Sequence, residues 1–129
     1  MLVKLFVQNY ALIKSLDLEL EKGLTIITGE TGAGKSILLG ALSLILGSRA
    51  DVSVLLEKNR KCIVEGSFRI DGYELDDFFE VNELDFEPLT TIRREINPAG
   101  KSRGFINDTP VTLTVLKDIG DRLIDIHSQ

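Results

Sequence analysis

A glycine-rich segment at residues 29–36 has the residue types and the spacing of a phosphate-binding loop. It reads Gly-Glu-Thr-Gly-Ala-Gly-Lys-Ser and satisfies the pattern G-x-x-x-x-G-K-[ST] at every fixed position. Glycines without a Cβ let several backbone N–H groups converge on a phosphate. The lysine of such a loop reaches the β- and γ-phosphates, and the hydroxyl after it holds Mg²⁺. The segment therefore predicts a nucleoside triphosphate site.

All residues of the loop are assigned to this predicted site. The cofactor-binding set is Gly29, Glu30, Thr31, Gly32, Ala33, Gly34, Lys35 and Ser36. Lys35 is the predicted catalytic residue, because its charge would stabilise the transferred phosphate, and Ser36 is the predicted ligand of the metal.

The flanking residues predict the elements that position the loop. Residues 24–28 form a short apolar, β-branched run that indicates a buried strand. Residues 37–46 form an apolar run that ends at Gly47, which predicts a buried helix with a glycine C-cap. A helix that begins near Lys35 adds N–H groups and the positive end of its dipole. A strand, a loop and a helix in this order are the context that a phosphate site requires.

Length and composition indicate one packed domain. The 129 residues are 43% hydrophobic and have a net charge of -5, which argues against a strongly basic protein that coats nucleic acid but permits a local basic face. The one cysteine, Cys62, excludes an intrachain disulfide framework and suits a reducing cytoplasm. No stretch is long enough to span a bilayer, and the first residues do not form a signal sequence. We therefore expect a cytoplasmic protein with no membrane partner.

Periodicity predicts an α/β fold with a mixed sheet. Strands are predicted at residues 2–8, 15–21, 24–28, 61–70, 89–96, 102–107 and 123–126, and helices at 37–46, within 73–87 and at 112–121. Thr112 is the predicted N-cap of the last helix. The strand at 15–21 alternates leucine with polar residues, as half-solvated antiparallel strands do. The phosphate loop therefore follows the third strand, whereas in a kinase or small GTPase it typically follows the first.

Alternation also predicts which side chains face the core. In the first strand these are Val3, Leu5 and Val7, and the strand is expected to break at residues 9–10. In the strand at 61–70 the predicted inward set is Cys62, Val64, Gly66, Phe68 and Ile70. In the acidic segment at 73–87 a short amphipathic helix is expected to be anchored by Leu75, Phe78, Phe79 and Leu84.

A predicted hairpin at residues 89–107 carries four cations within eleven residues, namely Arg93, Arg94, Lys101 and Arg103. Such a cluster would bind DNA phosphates by displacing counterions. The alternative is that some of the four pair with the acidic segment at residues 73–87 or lie on a solvated strand face. Arg93 and Arg94 point to opposite faces of a strand, so the four cannot all line one surface.

The acidic half of a hydrolytic site is not evident. A P-loop enzyme needs a second acidic residue on a strand to orient Mg²⁺. The one candidate is Asp125, which has only two clear apolar residues directly before it and Ile126 after it. The residues therefore favour phosphate binding over complete catalysis.

Several segments resemble the RecN family of bacterial DNA-repair proteins. They are residues 5–13, 23–36, 46–51, 93–96, 100–108 and 123–129, which together cover most of the chain. Asp108 departs from the family pattern, because glycine usually follows Ile-Asn there. Asp tolerates a tight turn, so the departure leaves the expected fold intact.

The resemblance implies an SMC-like, ABC-type ATPase head, in which this chain is the N-terminal lobe with an antiparallel β-subdomain. It implies ATP and Mg²⁺ as cofactors, with Gln129 contacting Mg²⁺ and the attacking water as a metal-binding and catalytic residue. Asp125 would then be structural, and Arg49 lies where such heads often place basic residues that respond to nucleotide or DNA. The whole of residues 1–129 would form this one lobe.

The resemblance further implies three partners: a C-terminal lobe of the same protein beyond a long coiled coil, a second head in a homodimer, and DNA. ATP would join the heads during repair of double-strand breaks, in the cytoplasm and close to the nucleoid. The signature motif and the Walker B acids would lie in the C-terminal lobe. We therefore expect the 129-residue chain to bind nucleotide weakly and not to hydrolyse it.

Two other classes of protein are also compatible with the sequence. The first is a complete small P-loop kinase, which would need a set of lid arginines and a convincing acidic residue. The second is an ABC transporter ATPase fragment, in which an aromatic residue ahead of the loop, here Tyr10 or Phe6, would stack on adenine. The arginine-rich hairpin and the Ile-Asn turn speak against the transporter.

Overall fold

A six-stranded antiparallel sheet organises the part of the chain that the structure describes. The structure is a computed structural model that describes residues 1–20 and 32–127, apart from the side chains of residues 32, 33, 35 and 124–127. The strands are β1 Leu2–Tyr10, β2 Ile13–Glu19, β3 Cys62–Arg69, β4 Leu89–Ile96, β5 Ser102–Ile106 and β6 Thr109–Val111, in the order β2-β1-β3-β4-β5-β6. The helices are α1 Gly32–Ile45, α2 Asp76–Val81 and α3 Leu113–His127. The predicted strand at 24–28 lies outside the described residues.

The core lies between one face of this sheet and the helices. In β3 and just after it, all of the predicted inward residues are buried, which confirms that alternation. Ile45 of α1 is fully buried over the sheet, and a Cβ added to Gly66 would lie 2.6 Å from its Cδ1. Glycine at this position therefore lets α1 approach β3 closely.

The first strand differs from its prediction in register and length. The pairing of β1 with β3 shifts between Leu2 and Lys4, so Leu2 is 2% exposed while Val3 is only half-buried. The break expected at residues 9–10 is wrong, because β1 continues to Tyr10. Asn9 has a positive φ of 56° and its amide holds the distant loop before β3, accepting from Glu57 N at 2.7 Å and donating to Arg60 O at 2.9 Å. These nonlocal hydrogen bonds compensate for the unusual backbone.

Helix α3 replaces the strand predicted at residues 123–126. The predicted N-cap is confirmed, since Thr112 Oγ1 accepts from Val115 N at 3.3 Å. The helix runs to His127 because Leu116, Ile119 and Leu123 recur at helical spacing and are all buried. A short apolar run does not distinguish a strand from the last turn of a buried helix, which explains the error.

The end of α1 lies against the middle of α3. Gly47 takes a φ of 102° as the predicted C-cap, and a Cβ added there would lie 2.6 Å from Lys117 Cα. A Cβ on Gly120 would lie 2.5 Å from Leu46 O. Two glycines therefore permit backbone contact between the two helices.

A tight turn joins β5 to β6, a short edge strand that the sequence did not predict. Asn107 and Asp108 have φ values of 48° and 67°, and Ile106 pairs with Thr109 across them. Positive φ at both central residues is the geometry of a type I′ hairpin turn. The expected tolerance of Asp108 for a tight turn is confirmed.

The acidic segment folds as predicted. It contains α2, and its anchors Leu75, Phe78, Phe79 and Leu84 are all buried. Arg122 of α3 lies 5.5 Å from the Phe78 ring centroid, so the segment also contacts α3.

Candidate nucleotide site

Helix α1 begins inside the glycine-rich motif. It starts at Gly32, earlier than the start predicted near Lys35, so residues 32–36 of the motif form its first turn. The first N–H groups of a helix lack partners within the helix, and the dipole makes this end positive. No acidic residue lies in that turn, and Ser36 is exposed. This donor set fits a phosphate group.

Several predicted site residues are not among the residues that the structure describes. Gly29, Glu30, Thr31 and Gln129 are not described, nor are the side chains of Gly32, Ala33 and Lys35. Their assignments to ATP and Mg²⁺ stay predictions. The backbone of Asp125 lies in α3, so this residue does not follow a strand as a Mg²⁺-orienting aspartate would.

Arg94 anchors the far end of α1. Its Nη1 donates to Leu44 O and Ser48 O, both at 2.7 Å, and its Nε donates to Ser102 Oγ at 2.6 Å. The carbonyls at a helix C-terminus are unpaired within the helix and attract a cation. Arg94 therefore ties the phosphate-site helix to β4 and β5.

The burial of Arg94 corrects the proposed set of DNA contacts. The residue is 2% exposed, so its assignment as a DNA contact is wrong in this structure. Burial lowers the pKa of Arg94, and only the ionised thiolate form of Cys62 opposes this shift. Burial likewise raises the pKa of the Cys62 thiol to about 11, which makes that thiol inert rather than reactive.

The Arg93 side chain lies on the face of the sheet opposite to Arg94, where acidic side chains neutralise its charge. Its guanidinium lies within 3.4 Å of Glu65, 3.2 Å of Glu95 and 2.9 Å of Asp108, and 4.3 Å from the Phe105 ring centroid. Burial alone would lower the pKa of Arg93, but the hydrogen bonds to Asp108 and Glu65 and the charge of Glu95 raise it overall. Arg93 is thus paired with acidic residues, but these lie in β3, in β4 and in the β5–β6 turn and not in the acidic segment that was predicted as the partner.

The other basic candidates are exposed. Lys101 and Arg103 pair with no carboxylate in the described part of the chain. Arg49 lines a cleft of about 510 Å³ between the end of α1 and α3, beside Lys117 and Asp121. A helix of 14 residues is about 20 Å long, which places Arg49 far from the phosphate loop of its own chain.

Tyr10 holds the middle of α1, a role that the sequence did not reveal. A Cβ added to Gly40 would lie 2.5 Å from the Tyr10 hydroxyl oxygen, so the ring packs directly on the helix. Burial raises the pKa of Tyr10, and the ionised thiolate form of Cys62 adds to this effect. Contact with the body of the helix is a structural role and does not support adenine stacking by Tyr10. Phe6 pairs in register with Asp17 of β2 and Glu65 of β3.

Comparison with known families decides the classification. A family model described as an AAA domain matches residues 4–128. The chain belongs to this AAA domain family. Such AAA- and SMC-type ATPases bind nucleotide, typically with Mg²⁺.

Whole-chain similarity connects this family member with RecN. It is 46% identical to the DNA repair protein RecN of Vibrio cholerae over 130 residues, which is 100% of this chain and 24% of that protein. The RecN proteins of Haemophilus influenzae and Bacillus subtilis are 38% and 37% identical, again over 100% of this chain and over 24% and 23% of theirs. The chain thus spans about a quarter of the length of the curated relatives that it matches.

Solved structures show the same fold. An SMC ATPase, described for ATP-driven dimerization and DNA-stimulated activation, has a TM-score of 0.68 at 24% identity, with 95% of this chain and 79% of that chain covered. The recombination mediator RecF, with bound ATPrS, has a TM-score of 0.62 at 21% identity, with 90% and 29% covered. The prediction of similarity to RecN and of an SMC-type head fold is confirmed, and the transporter alternative is not favoured. No helix within residues 32–127 is long and apolar enough to cross a bilayer.

Proposed function

We propose that this chain is the ATP-binding lobe of a longer RecN-like protein that acts in recombinational repair of DNA double-strand breaks. The observation that carries the proposal is helix α1, which begins inside a complete phosphate-loop motif and presents an acid-free first turn. The 46% identity to a DNA repair protein supports a role of this phosphate site in DNA repair. Residues 1–129 act as one lobe of the head.

Different groups of the loop bind different parts of Mg-ATP. The backbone N–H groups of residues 29–36 bind the phosphates, Lys35 neutralises their charge, and the Ser36 hydroxyl and the Gln129 amide oxygen bind the metal. Bound Mg²⁺ supplies positive charge that stabilises the negative phosphate oxygens. The anchors Arg94 and Tyr10 fix the helix on which this loop depends.

The proposed partners follow from the relatives. ATP binding brings two heads together as a homodimer, a proposal supported by the ATP-driven dimerization described for the SMC relative. A C-terminal lobe of the same protein supplies the acidic residues for hydrolysis, and DNA is the substrate of the assembled protein. The protein works in the cytoplasm, associated with the nucleoid.

Nuclear magnetic resonance tests whether α1 is a nucleotide site. In ¹⁵N-labelled chain, Mg-ATP is expected to shift the amide resonances of residues 32–36 in a saturable but weak manner. Mg-AMP is the matched ligand, since it has the same base and ribose but lacks the β- and γ-phosphates. Equal shifts with both nucleotides, or shifts only elsewhere, would contradict a triphosphate site at α1.

A further inference from the structure

We propose that Lys61, Lys101 and Arg103 form a pocket that holds a backbone phosphate of double-stranded DNA. These three residues are called the basic pocket below. The proposal goes beyond ATP binding, because the pocket belongs to the β3–β5 region and requires no nucleotide. The proposed set of DNA contacts also differs from the cluster predicted from the sequence. Arg94 is left out because it is buried and Arg93 because acidic side chains neutralise it, whereas Lys61 is added.

Three elements bring the cations together. Lys61 directly precedes β3, Lys101 lies in the loop between β4 and β5, and Arg103 lies in β5 opposite Glu95. With Glu95 and Asn97 they line a pocket of about 190 Å³. Asn97 accepts from Lys101 N at 2.9 Å and thereby shapes the loop.

The pocket keeps an excess of positive charge. Its one carboxylate, Glu95, is shared, since Oε1 lies 3.4 Å from Lys61 Nζ and Oε2 lies 3.2 Å from Arg93 Nε. Neither Lys101 nor Arg103 meets a carboxylate among the residues with described side chains. Exposed cations without partners gain most from a phosphate, because they release its condensed counterions and lose no existing ion pair.

The charge of the lobe is divided between opposite ends of the sheet. The basic pocket lies at the end where Cys62 pairs with Ile96. At the other end, where Arg69 pairs with Leu89, the connection from β3 to β4 carries Asp71, Glu74, Asp76, Asp77, Glu80, Glu83, Asp85 and Glu87. An eight-residue strand separates the ends by roughly 25 Å. Although the net charge is -5, the separation of acidic and basic residues produces an electrostatic field that orients a polyanion toward the pocket.

The basic surface continues beyond one phosphate. A Cβ added to Gly100, beside Lys101, would lie 3.8 Å from Val52 Cγ1, and Lys58 Nζ donates to Val52 O at 3.1 Å. Lys58 is exposed. Neighbouring cations along one surface suit a chain of phosphates better than a free phosphate ion.

The salt dependence of DNA binding tests the basic pocket. Fluorescence anisotropy of a labelled duplex is measured with the 129-residue chain at several salt concentrations. The variant Lys61→Gln/Lys101→Gln/Arg103→Gln is expected to reduce the slope of log K against log salt by about 0.9, because the three side chains together neutralise one phosphate and each neutralised phosphate contributes about 0.9. The matched control Lys4→Gln/Lys14→Gln/Arg69→Gln removes the same charge from exposed sites outside the pocket and is expected to change the slope little.

Three outcomes would overturn the proposal. The first is that the unaltered chain does not bind the duplex, and the second is that both variants change the slope equally. The third is that inorganic phosphate displaces DNA at a constant ionic strength at which sulfate does not. The last outcome would show a free-phosphate site. Circular dichroism melts check that both variants are folded. The amide response to Mg-ATP is measured on the same pocket variant, so failure of the DNA proposal and failure of the ATP proposal are distinguishable.

Discussion

Replacement of Arg94 by alanine is expected to lower the free energy of unfolding by about 3–5 kcal/mol. The substitution removes three hydrogen bonds from a buried guanidinium, so Leu44 O keeps only Gly47 N, at 3.3 Å, and both Ser48 O and Ser102 Oγ lose this donor. Buried acceptors that lose a charged donor carry much of the cost of their desolvation. Urea unfolding followed by circular dichroism measures the change, with an unchanged m-value as evidence of a pure stability effect.

Two matched variants isolate the cause. Arg94→Lys keeps the charge but lacks the planar fork that reaches several acceptors at once, so an intermediate loss is expected. Arg103→Ala removes an exposed arginine from the same hairpin and is expected to change the free energy of unfolding by less than about 0.5 kcal/mol. If Arg94→Ala is no more destabilising than Arg103→Ala, Arg94 does not anchor α1.

Replacement of Lys35 by alanine is expected to weaken Mg-ATP binding about 10–100-fold. A charge-assisted hydrogen bond contributes about 1.5–3 kcal/mol, and each 1.4 kcal/mol corresponds to about tenfold in affinity. The measurement is the titration of the α1 amide resonances with Mg-ATP, and the response to Mg-AMP is expected to change much less.

Lys117→Ala serves as the control for the Lys35 variant. It removes an exposed lysine from α3, beside the cleft at the opposite end of α1 from the motif. Its affinity for Mg-ATP is expected to match that of the unaltered chain. Equal affinities of the Lys35→Ala and unaltered chains would exclude Lys35 as the phosphate-binding lysine.

The features predicted correctly from the sequence are those that local residues determine. The helix after the phosphate loop, its C-cap at Gly47, the N-cap at Thr112 and the alternation of β3 depend on side chains that lie close together in the chain. The opposite faces of Arg93 and Arg94 follow directly from strand geometry. The phosphate motif itself is also local, although residues 29–31 lie outside the described structure.

The features that the sequence did not predict depend on distant contacts. The role of Arg94 requires carbonyls from residues 46 and 50 positions earlier in the chain. Asn9 bonds to residues 48 and 51 positions away, so its local tendency to break a strand was overridden. The end of α3 was misassigned because the four residues 123–126, which include Asp125, are too few to show a period. The helical period is evident only when Leu123 is compared with Leu116 and Ile119, which are buried as well.

Steady-state phosphate release by the pure 129-residue chain tests the central claim most directly. In the proposed function, this lobe holds the phosphate-binding half of the ATPase and another lobe supplies the acids for hydrolysis. Phosphate release at the background rate is therefore expected with Mg-ATP, even where the α1 amides report binding. Steady release that Lys35→Ala abolishes would contradict the account and would make the chain a complete enzyme, with Asp125 as the first acidic residue to test.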